Sequence, residues 1–170
     1  VYGGLDVVVN LVPITAAELR GHNDLDSVED LVSRKLKTPL LVSRVAANRM
    51  RLTLTEGLIL NVMTTPAPRS AGEMALAGVA RTALAAITRG EAETWSAHGI
   101  RVNAIAPGWV MTERQKKLWV TEEGLKDMLD RQCLKEAIQP DDMVGPCLFL
   151  ASRASRMITA QVLIADGGMM

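Results

Sequence analysis

Short apolar runs alternate with longer segments of helical periodicity, and this alternation constrains the fold more than any other feature of the sequence. Each run is rich in aliphatic residues and has the length of a strand that is buried on both faces. Strands separated by helices predict a parallel α/β sheet with right-handed crossover connections. The predicted strands cover residues 5–10, 57–63, 100–106 and 158–165.

The remaining long segments space their apolar residues as helices do. Pro39 predicts a bend in the first helix, and Pro146 predicts a kink in the last one unless it falls in the first turn. The predicted helices cover residues 26–50, 71–96, 119–134 and 140–151. One stripe of the longest helix consists of Ala80, Leu84, Ile87 and Glu91.

The composition favours one domain over residues 1–170, with a core built from the 48% of residues that are hydrophobic. Nineteen Lys and Arg balance nineteen Asp and Glu, so the formal net charge is zero. Proteins that coat nucleic acid or anionic membranes ordinarily carry a basic excess. No apolar run approaches the roughly 18 residues of a membrane span. We therefore expect no nucleic-acid partner and no membrane partner.

The cysteines and histidines indicate no cross-link and no metal. Cys133 and Cys147 are too few for a disulfide framework and lack zinc-type spacing, so we expect buried free thiols in a reducing, cytoplasmic setting. His22 and His98 lie far apart without an acidic ligand pattern, and we expect no metal site. The sequence shows no signal-peptide pattern. It does not begin with Met, so it can be part of a longer chain.

Four strings resemble the short-chain dehydrogenase/reductase family, in that family's order and with its usual separations. They are YGGLDVVVN, HGIRVNAIAPGWVMTE, PDDMVGPCLFLAS and ITAQVLIADGG. The resemblance implies a Rossmann-like parallel sheet with helices on both faces, and hydride transfer to or from NAD or NADP. The stretch that begins PGWVMTERQKKLWVTEEG is most similar to members that oxidise aldoses at the anomeric carbon, which implies a sugar-like small-molecule substrate.

The resemblance runs from Val1 to Met170 but covers only the C-terminal two thirds of a family member. Residues 5–10 correspond to the family's fourth strand, so we expect the first three strands to precede Val1. Those strands normally carry the Gly-rich turn that places the pyrophosphate on a helix N-terminus. No G-x-x-x-G-x-G or G-x-G-x-x-G occurs in this chain. By this comparison the chain alone holds at most half of a dinucleotide site.

The catalytic positions implied by the resemblance carry altered residues. The family's tyrosine, which supplies the proton for carbonyl reduction, corresponds to Ala77, and its lysine four residues later corresponds to Arg81. The serine position, thirteen residues before the tyrosine, falls on Thr64, and the helical asparagine position falls on Lys35. Tyr2 is the single tyrosine of the chain, so no shift of register restores the general acid.

The resemblance also implies positions that contact the cofactor. The residues after the third predicted strand match the pattern of the family better than those after the first. The family uses the backbone at Val110 for the nicotinamide carboxamide and Thr112 for the pyrophosphate, and Trp109 would line a substrate pocket. Trp109 and Val110 are equally interpretable as core or lid residues. The implied cofactor contacts are Asn10, Pro107, Gly108, Val110 and Thr112.

The turn after the first predicted strand departs from the family's Asn-Asn-Ala-Gly. Here residues 10–13 are Asn-Leu-Val-Pro, and we expect Leu11 and Pro13 to crowd the space under the cofactor. The mixed charges of residues 113–117 are interpreted as a solvated lid.

Three functions stay open from the sequence. The first is a sugar-oxidising oxidoreductase, inactive or strongly impaired in this chain; the second is a non-catalytic pseudoenzyme or oligomerisation fragment. The third is a hydrolase using Thr64, which lacks a suitable base because His98 lies at the far end of a helix. Thr64 is also interpretable as a strand-end hydroxyl, and Arg81 as a solvated or ion-paired side chain.

The truncated sheet predicts assembly. Without strands before it, the run at residues 5–10 would be an apolar edge that pairs with another copy, is covered by residues 11–30, or aggregates. Members of the family usually associate through the helices that match residues 26–50 and 71–96 and through the last helix and strand. We therefore expect a homo-oligomer.

Overall fold

Parallel strands form one sheet in the order β1-β2-β3-β4, which confirms the predicted α/β class. The computed structural model describes residues 3–14, 29–31, 33–64, 71–118 and 120–169. Within them the strands are β1 (Val7–Pro13), β2 (Leu58–Thr64), β3 (Arg101–Pro107) and β4 (Val162–Ala165). Each neighbouring pair is parallel, so the carboxyl ends of the strands lie along the same edge.

β1 continues three residues beyond the predicted strand end at Asn10. Its ladder with β2 runs without interruption to the pair Pro13 and Thr64, so the predicted turn at residues 10–13 is wrong. Val12 is buried and Leu11 is exposed, as alternating strand positions are. Leu11 therefore faces away from the core instead of filling a turn. Pro13 is compatible with the ladder because β1 lies at an edge of the described sheet.

The first predicted helix changes type instead of bending at Pro39. A π-helical segment, Ser33–Lys37, leads directly into α1 (Thr38–Leu52). Pro39 occupies the first turn of α1, where a missing N–H costs no intrahelical hydrogen bond. Residues 26–28 and 32 of the prediction lie outside the described residues.

The longest helix agrees closely with its prediction. α2 (Ala71–Trp95) ends one residue before the predicted boundary. Ala80, Leu84 and Glu91 of the predicted stripe are buried, and Ile87 is half-buried. The stripe therefore faces the sheet, with a carboxyl group at its C-terminal end.

The helices that follow β3 are shorter than predicted. The segment interpreted as a lid is helical as α3 (Glu113–Leu118), and the predicted helix 119–134 is reduced to α4 (Glu122–Arg131). A turn of 3₁₀-helix precedes α5 (Val144–Ala151). Pro146 is the third residue of α5, so it lies in the first turn and causes no kink.

β4 is half as long as the predicted run 158–165. Ala160 adopts a left-handed φ of 61°, which interrupts extended structure. The preceding stretch is attached by the buried Asn103 side chain, which donates to the Ile158 carbonyl at 2.9 Å and accepts from the Gln161 N–H at 3.1 Å. This side chain of β3 supplements two backbone hydrogen bonds, from the Ala160 N–H to the Val102 carbonyl at 2.7 Å and from the Ala104 N–H to the Gln161 carbonyl at 2.8 Å.

Helices cover both faces of the sheet. On one face, apolar residues of α1 and α2 pack on β2 and β3, and a second cluster near the carboxyl ends of β1 and β2 includes Leu36 and Met63. On the other face, Leu150 of α5 packs on Leu58, Leu60 and Ile105. These clusters make a largely aliphatic core.

The cysteines depart from their predicted burial. Both are free, but Cys133 is exposed and Cys147 is half-buried. Because α4 ends at Arg131, Cys133 is not on the buried helix face; its N–H donates to the Gly168 carbonyl at 3.0 Å.

The β1 edge exposes apolar side chains. Val7, Val9 and Leu11 are 41%, 54% and 64% exposed, while the alternate residues face the core. Residues 15–28, most of the segment expected to cover this edge, lie outside the described residues. No helix in the described parts of the chain is long and apolar enough to cross a bilayer.

Candidate active site

Most of the predicted site positions lie at or near the carboxyl edge of the sheet. β1, β2 and β3 end there at Pro13, Thr64 and Pro107. In parallel α/β sheets this edge is where ligands bind. Thr64 is paired directly with Pro13, so the predicted serine position adjoins the end of β1. The Thr64 side chain lies outside what the structure describes.

The N-terminal half of α2 carries the other two catalytic positions. Ala77 and Arg81 are one helical turn apart, and Arg81 is exposed; the Ala77 side chain is not among those described. Their neighbours Ala80 and Leu84 pack in one cluster with Met63, which immediately precedes Thr64. The structure thus brings this part of α2 beside the end of β2. Position 77 offers no titratable group to this region.

Lys35 contacts the end of β1. From the π-helical segment, its ammonium group donates to the Pro13 carbonyl at 2.6 Å. The residue at the predicted asparagine position therefore attaches its helix to the strand end. A π-helical turn displaces side chains from regular α-helical positions, so helical spacing alone does not determine where Lys35 lies.

The side chain of Asn10 lies on the face of the sheet that packs against α1. Its amide donates to the Ser43 hydroxyl on α1 and to the Asn61 side-chain carbonyl on β2, both at 2.9 Å, and Asn10 is buried. These bonds connect two strands and a helix. The predicted cofactor contact of Asn10 stays a prediction, whereas its structural bonds are visible.

A chain of buried polar groups continues from Asn10 towards α2. Asn61 donates to the Thr88 hydroxyl at 3.1 Å, and Glu91 follows Thr88 by almost one turn. Burial raises the pKa of Glu91 to about 7; nearby Ser43 and Asn61, and the charge of Arg44, oppose this rise. We call Asn10, Ser43, Asn61, Thr88 and Glu91 the buried polar layer.

Sequence reasoning missed the buried polar layer as a unit. One signal was present, because Glu91 is a charged residue within a stripe that is otherwise apolar. A carboxylate on a buried helix face is rare unless it is paired. Ser43, Asn61 and Thr88 gave no comparable signal.

The loop after β3, residues 107–112, is attached by backbone contacts. Pro107 is buried, and the Gly108 N–H donates to the Ala165 carbonyl at 3.0 Å. A Cβ at position 108 would lie 2.8 Å from Asp166 Cα, so only glycine fits without movement of the backbone. The β3 and β4 ends approach each other closely at this glycine.

The second half of this loop is equally constrained. The Met111 N–H donates to the Ile138 carbonyl at 2.8 Å, and the Thr112 N–H donates to the Val110 carbonyl at 3.0 Å. The Thr112 hydroxyl accepts from the Gln115 N–H at 3.2 Å, which caps α3. Val110 is half-buried, so the interpretations of this residue as core, as lid and as a backbone contact to a cofactor all stay open.

A cleft of about 680 Å³ lies at the opposite, amino edge of the sheet. It is lined by residues such as Asp6, Gly57 and Arg101. The Arg101 guanidinium donates to the Leu150 and Ile158 carbonyls and so serves the fold. The cleft contains none of the predicted site positions. Across the described residues, no three His, Cys, Asp or Glu side chains converge as a metal site would require.

Comparison with known proteins defines the class of protein. A family model described as enoyl-(acyl carrier protein) reductase matches residues 1–170. The chain belongs to the short-chain dehydrogenase/reductase family.

Particular relatives are dehydrogenases. The chain is 51% identical over 89 residues to a "Probable galactose dehydrogenase GalD" of Rhizobium meliloti (strain 1021), covering 52% of this chain and 35% of the relative. It is 28% identical over 167 residues to 2-dehydro-3-deoxy-D-gluconate 5-dehydrogenase of Dickeya dadantii (strain 3937), covering 98% of this chain and 66% of that one. The chain thus spans less than two thirds of the length of these curated relatives, narrowly so for the second.

A solved structure shares the fold at similar coverage. A 4-hydroxyisoleucine dehydrogenase mutant complexed with NADH and succinate superposes with a TM-score of 0.79 and 25% identity, covering 96% of this chain and 67% of the other. That protein binds NADH in its crystal.

Proposed function

We propose that this chain has the fold of an NAD(P)-dependent oxidoreductase for sugars or related alcohols and carbonyls, with little or no turnover as it stands. Its membership of the short-chain dehydrogenase/reductase family supports the reaction class. The names of the galactose and gluconate dehydrogenases among its relatives support a sugar-like substrate. The observation that carries the loss of turnover is Ala77, which stands on α2 beside the end of β2.

The chemistry explains why Ala77 matters. In carbonyl reduction a hydride adds to the carbonyl carbon and a proton must reach the oxygen, which becomes a hydroxyl. A methyl group at position 77 supplies no proton. Arg81 keeps the positive charge of a lysine but not its compact ammonium group, and Thr64 keeps only a hydroxyl. Loss of a general acid alone typically reduces the rate by about 10²–10⁴-fold.

The residues of this chain fit only part of a binding site for NAD or NADP. When bound, the nicotinamide would accept or supply the hydride, with its carboxamide at the backbone of Val110 and the pyrophosphate near Thr112 and the Pro107–Gly108 turn. The close approach at Gly108 is to Asp166 and Ile138 of the protein itself, so it fixes the position of this turn but is not itself a cofactor contact. The Val110 carbonyl and the Thr112 hydroxyl already take part in hydrogen bonds within the loop. The chain contains no Gly-rich phosphate turn, so we expect weak binding.

Residues 1–170 form, in this proposal, one partial Rossmann-like domain that assembles as a homo-oligomer in the cytoplasm. Exposed apolar side chains on α1, including Leu41 and Val45, and on the β1 edge support assembly. The two cysteines, neither of them in a disulfide, are compatible with a reducing compartment. Light scattering tests the assembly, and a monomer at high concentration would contradict it.

The second candidate, a pseudoenzyme retained for its fold, follows from the same substitutions. The hydrolase alternative has no support from the described residues. His98 lies in the short helical segment after α2 that leads into the amino end of β3, whereas Thr64 lies at the carboxyl edge of the sheet.

The decisive experiment measures NADH and NADPH formation by the purified chain with aldoses and aldonates. We expect no rate above the protein-free control, for the chain itself and for the double variant Ala77→Tyr/Arg81→Lys. Titration calorimetry with NAD and NADP separates the candidates. Binding without turnover supports the pseudoenzyme, and robust turnover by the unmodified chain would contradict the proposed loss of activity.

A further inference from the structure

The buried polar layer contains one carboxyl group without a hydrogen-bond partner. Glu91 is 5% exposed, and neither of its carboxyl oxygens accepts or donates a hydrogen bond within the described part of the chain. Ser43 and Asn61 lie near enough to lower the pKa of the carboxyl group, against the larger effect of burial. An ionised carboxylate in this place would be a buried charge whose lost hydration these two side chains replace only in part.

The surroundings of Glu91 offer no buried cation. From α1, Arg44 attracts the carboxylate but is itself exposed, and from β2 the facing polar residue is the neutral Asn61. On α2 itself, the charged neighbours Arg89 and Glu93 are both exposed.

The other elements packed on α2 do not change this picture. Ile100, just before β3, and Val102 of β3 are the apolar residues that pack in the same cluster as Ala92. On the π-helical segment, the Lys35 ammonium is engaged by the Pro13 carbonyl. After α2, the exposed His98 contacts Trp95. Among described residues, only Arg44 exerts a resolved charge effect on Glu91.

We propose that Glu91 is a buried proton-binding group whose ionisation loosens the packing of α2 on the sheet, so that the fold weakens when Glu91 loses its proton. In the neutral form the carboxyl group is accommodated within the buried polar layer, close to the Ser43 hydroxyl and the Asn61 amide. Loss of the proton places a charge between α1, α2 and β2. Its relief requires the carboxylate to reach water, which means displacing α2.

The raised pKa of Glu91, caused mainly by burial, agrees with this geometry and places the transition near pH 7. The consequence reaches the carboxyl edge of the sheet, because α2 also carries positions 77 and 81. Mildly acidic conditions would thus hold those positions against the end of β2, and alkaline conditions would release them.

Urea denaturation between about pH 5 and pH 8 tests the proposal. We expect the unfolding equilibrium constant of the chain to rise on the order of a hundredfold over this range, and Glu91→Gln to abolish most of that rise. Glu93→Gln, an exposed carboxyl on the same helix, is the matched control and should keep the full pH dependence. Replacing His22 and His98 by Gln in every protein removes imidazole titration from the profiles.

A direct measurement on the unmodified chain keeps the test decisive if Glu91→Gln does not fold. The side-chain carboxyl ¹³C resonance of Glu91, assigned through its backbone, should titrate near pH 7. Titration in the ordinary glutamate range near 4.5, or an unchanged pH profile in a folded Glu91→Gln protein, would overturn the proposal.

Discussion

The loop at the carboxyl edge of the sheet and the buried polar layer at its middle are held in place by different means. The loop at residues 107–112 is fixed by backbone hydrogen bonds to Ala165 and Ile138 and by the close approach at Gly108. The region under α2 depends instead on the side chains of the buried polar layer.

The difference bears on the proposed loss of activity. A surface made of backbone survives substitution of many neighbouring side chains, since its geometry needs only the glycine and the ladder. A proton donor is a single side chain, so one substitution, such as the proposed change to Ala77, is enough to remove it. If the two regions depend on backbone and on side chains respectively, they should respond differently to pH and to substitution.

The largest expected effect is that of pH on the buried polar layer. The pKa of Glu91 is higher in the folded protein, about 7, than the ordinary 4.5, so the folded state binds more protons between these values. Its stabilising contribution is fully present below about pH 4.5 and is lost as the pH rises through about 7. This loss amounts to about 2–3 kcal/mol between about pH 5 and pH 8. A free energy of unfolding that is flat over this range would show that the layer tolerates the charge.

The next effect concerns the backbone of the 107–112 loop. Gly108→Ala puts a Cβ against Asp166 Cα and should cost about 2 kcal/mol, because backbone must move to admit it. Gly90→Ala, at an exposed helical site with open space, is the control and should stabilise by about 0.5–1 kcal/mol. The midpoints of thermal denaturation of the two variants test this prediction. Equal midpoints would show that position 108 does not require glycine.

A moderate effect should follow from breaking one side-chain bond of the buried polar layer. Thr88→Val keeps the volume but leaves the Asn61 amide without its acceptor, at a cost of about 1–2 kcal/mol. Thr88→Ser restores the hydroxyl and should recover stability that Thr88→Val loses, less the cost of one missing methyl group. Urea denaturation measures both variants. If Thr88→Ser loses more stability than Thr88→Val, packing contributes more than the hydrogen bond at this position.

The smallest effect is expected from the Thr112 side chain, which joins the end of the 107–112 loop to α3. Thr112→Ala removes the cap on the Gln115 N–H and should cost about 1 kcal/mol, whereas Thr112→Ser should cost little. Thermal denaturation measures both. A larger loss for Thr112→Ala than for Gly108→Ala would reverse the comparison, since a side chain would then hold this loop.

Periodicity located most elements but not their ends. α2 and β2 were placed to within one residue, because long stripes and buried aliphatic runs leave few alternatives. The ends of β1 and β4 were misplaced because pairing partners decide where a ladder stops. Pro13 stays in the ladder of β1, while the positive φ of Ala160 keeps residues 158–161 out of β4.

The sequence likewise predicted only part of the candidate site. The resemblance led to positions 64, 77 and 81, and the fold brings the N-terminal half of α2 beside the end of β2. No local pattern showed that Asn10 and Ser43, 33 residues apart, share a hydrogen bond. Long-range bonds of this kind depend on how helices settle on the sheet.

Local spacing along the sequence was enough to establish the α/β class and the family, and the identity of residue 77 predicts the loss of the proton donor. The burial of Glu91 and the close approach at Gly108 became visible only in the folded chain. Burial and close approach are properties of chain segments distant in sequence, so they arise only when α1, α2 and the strand ends are packed together.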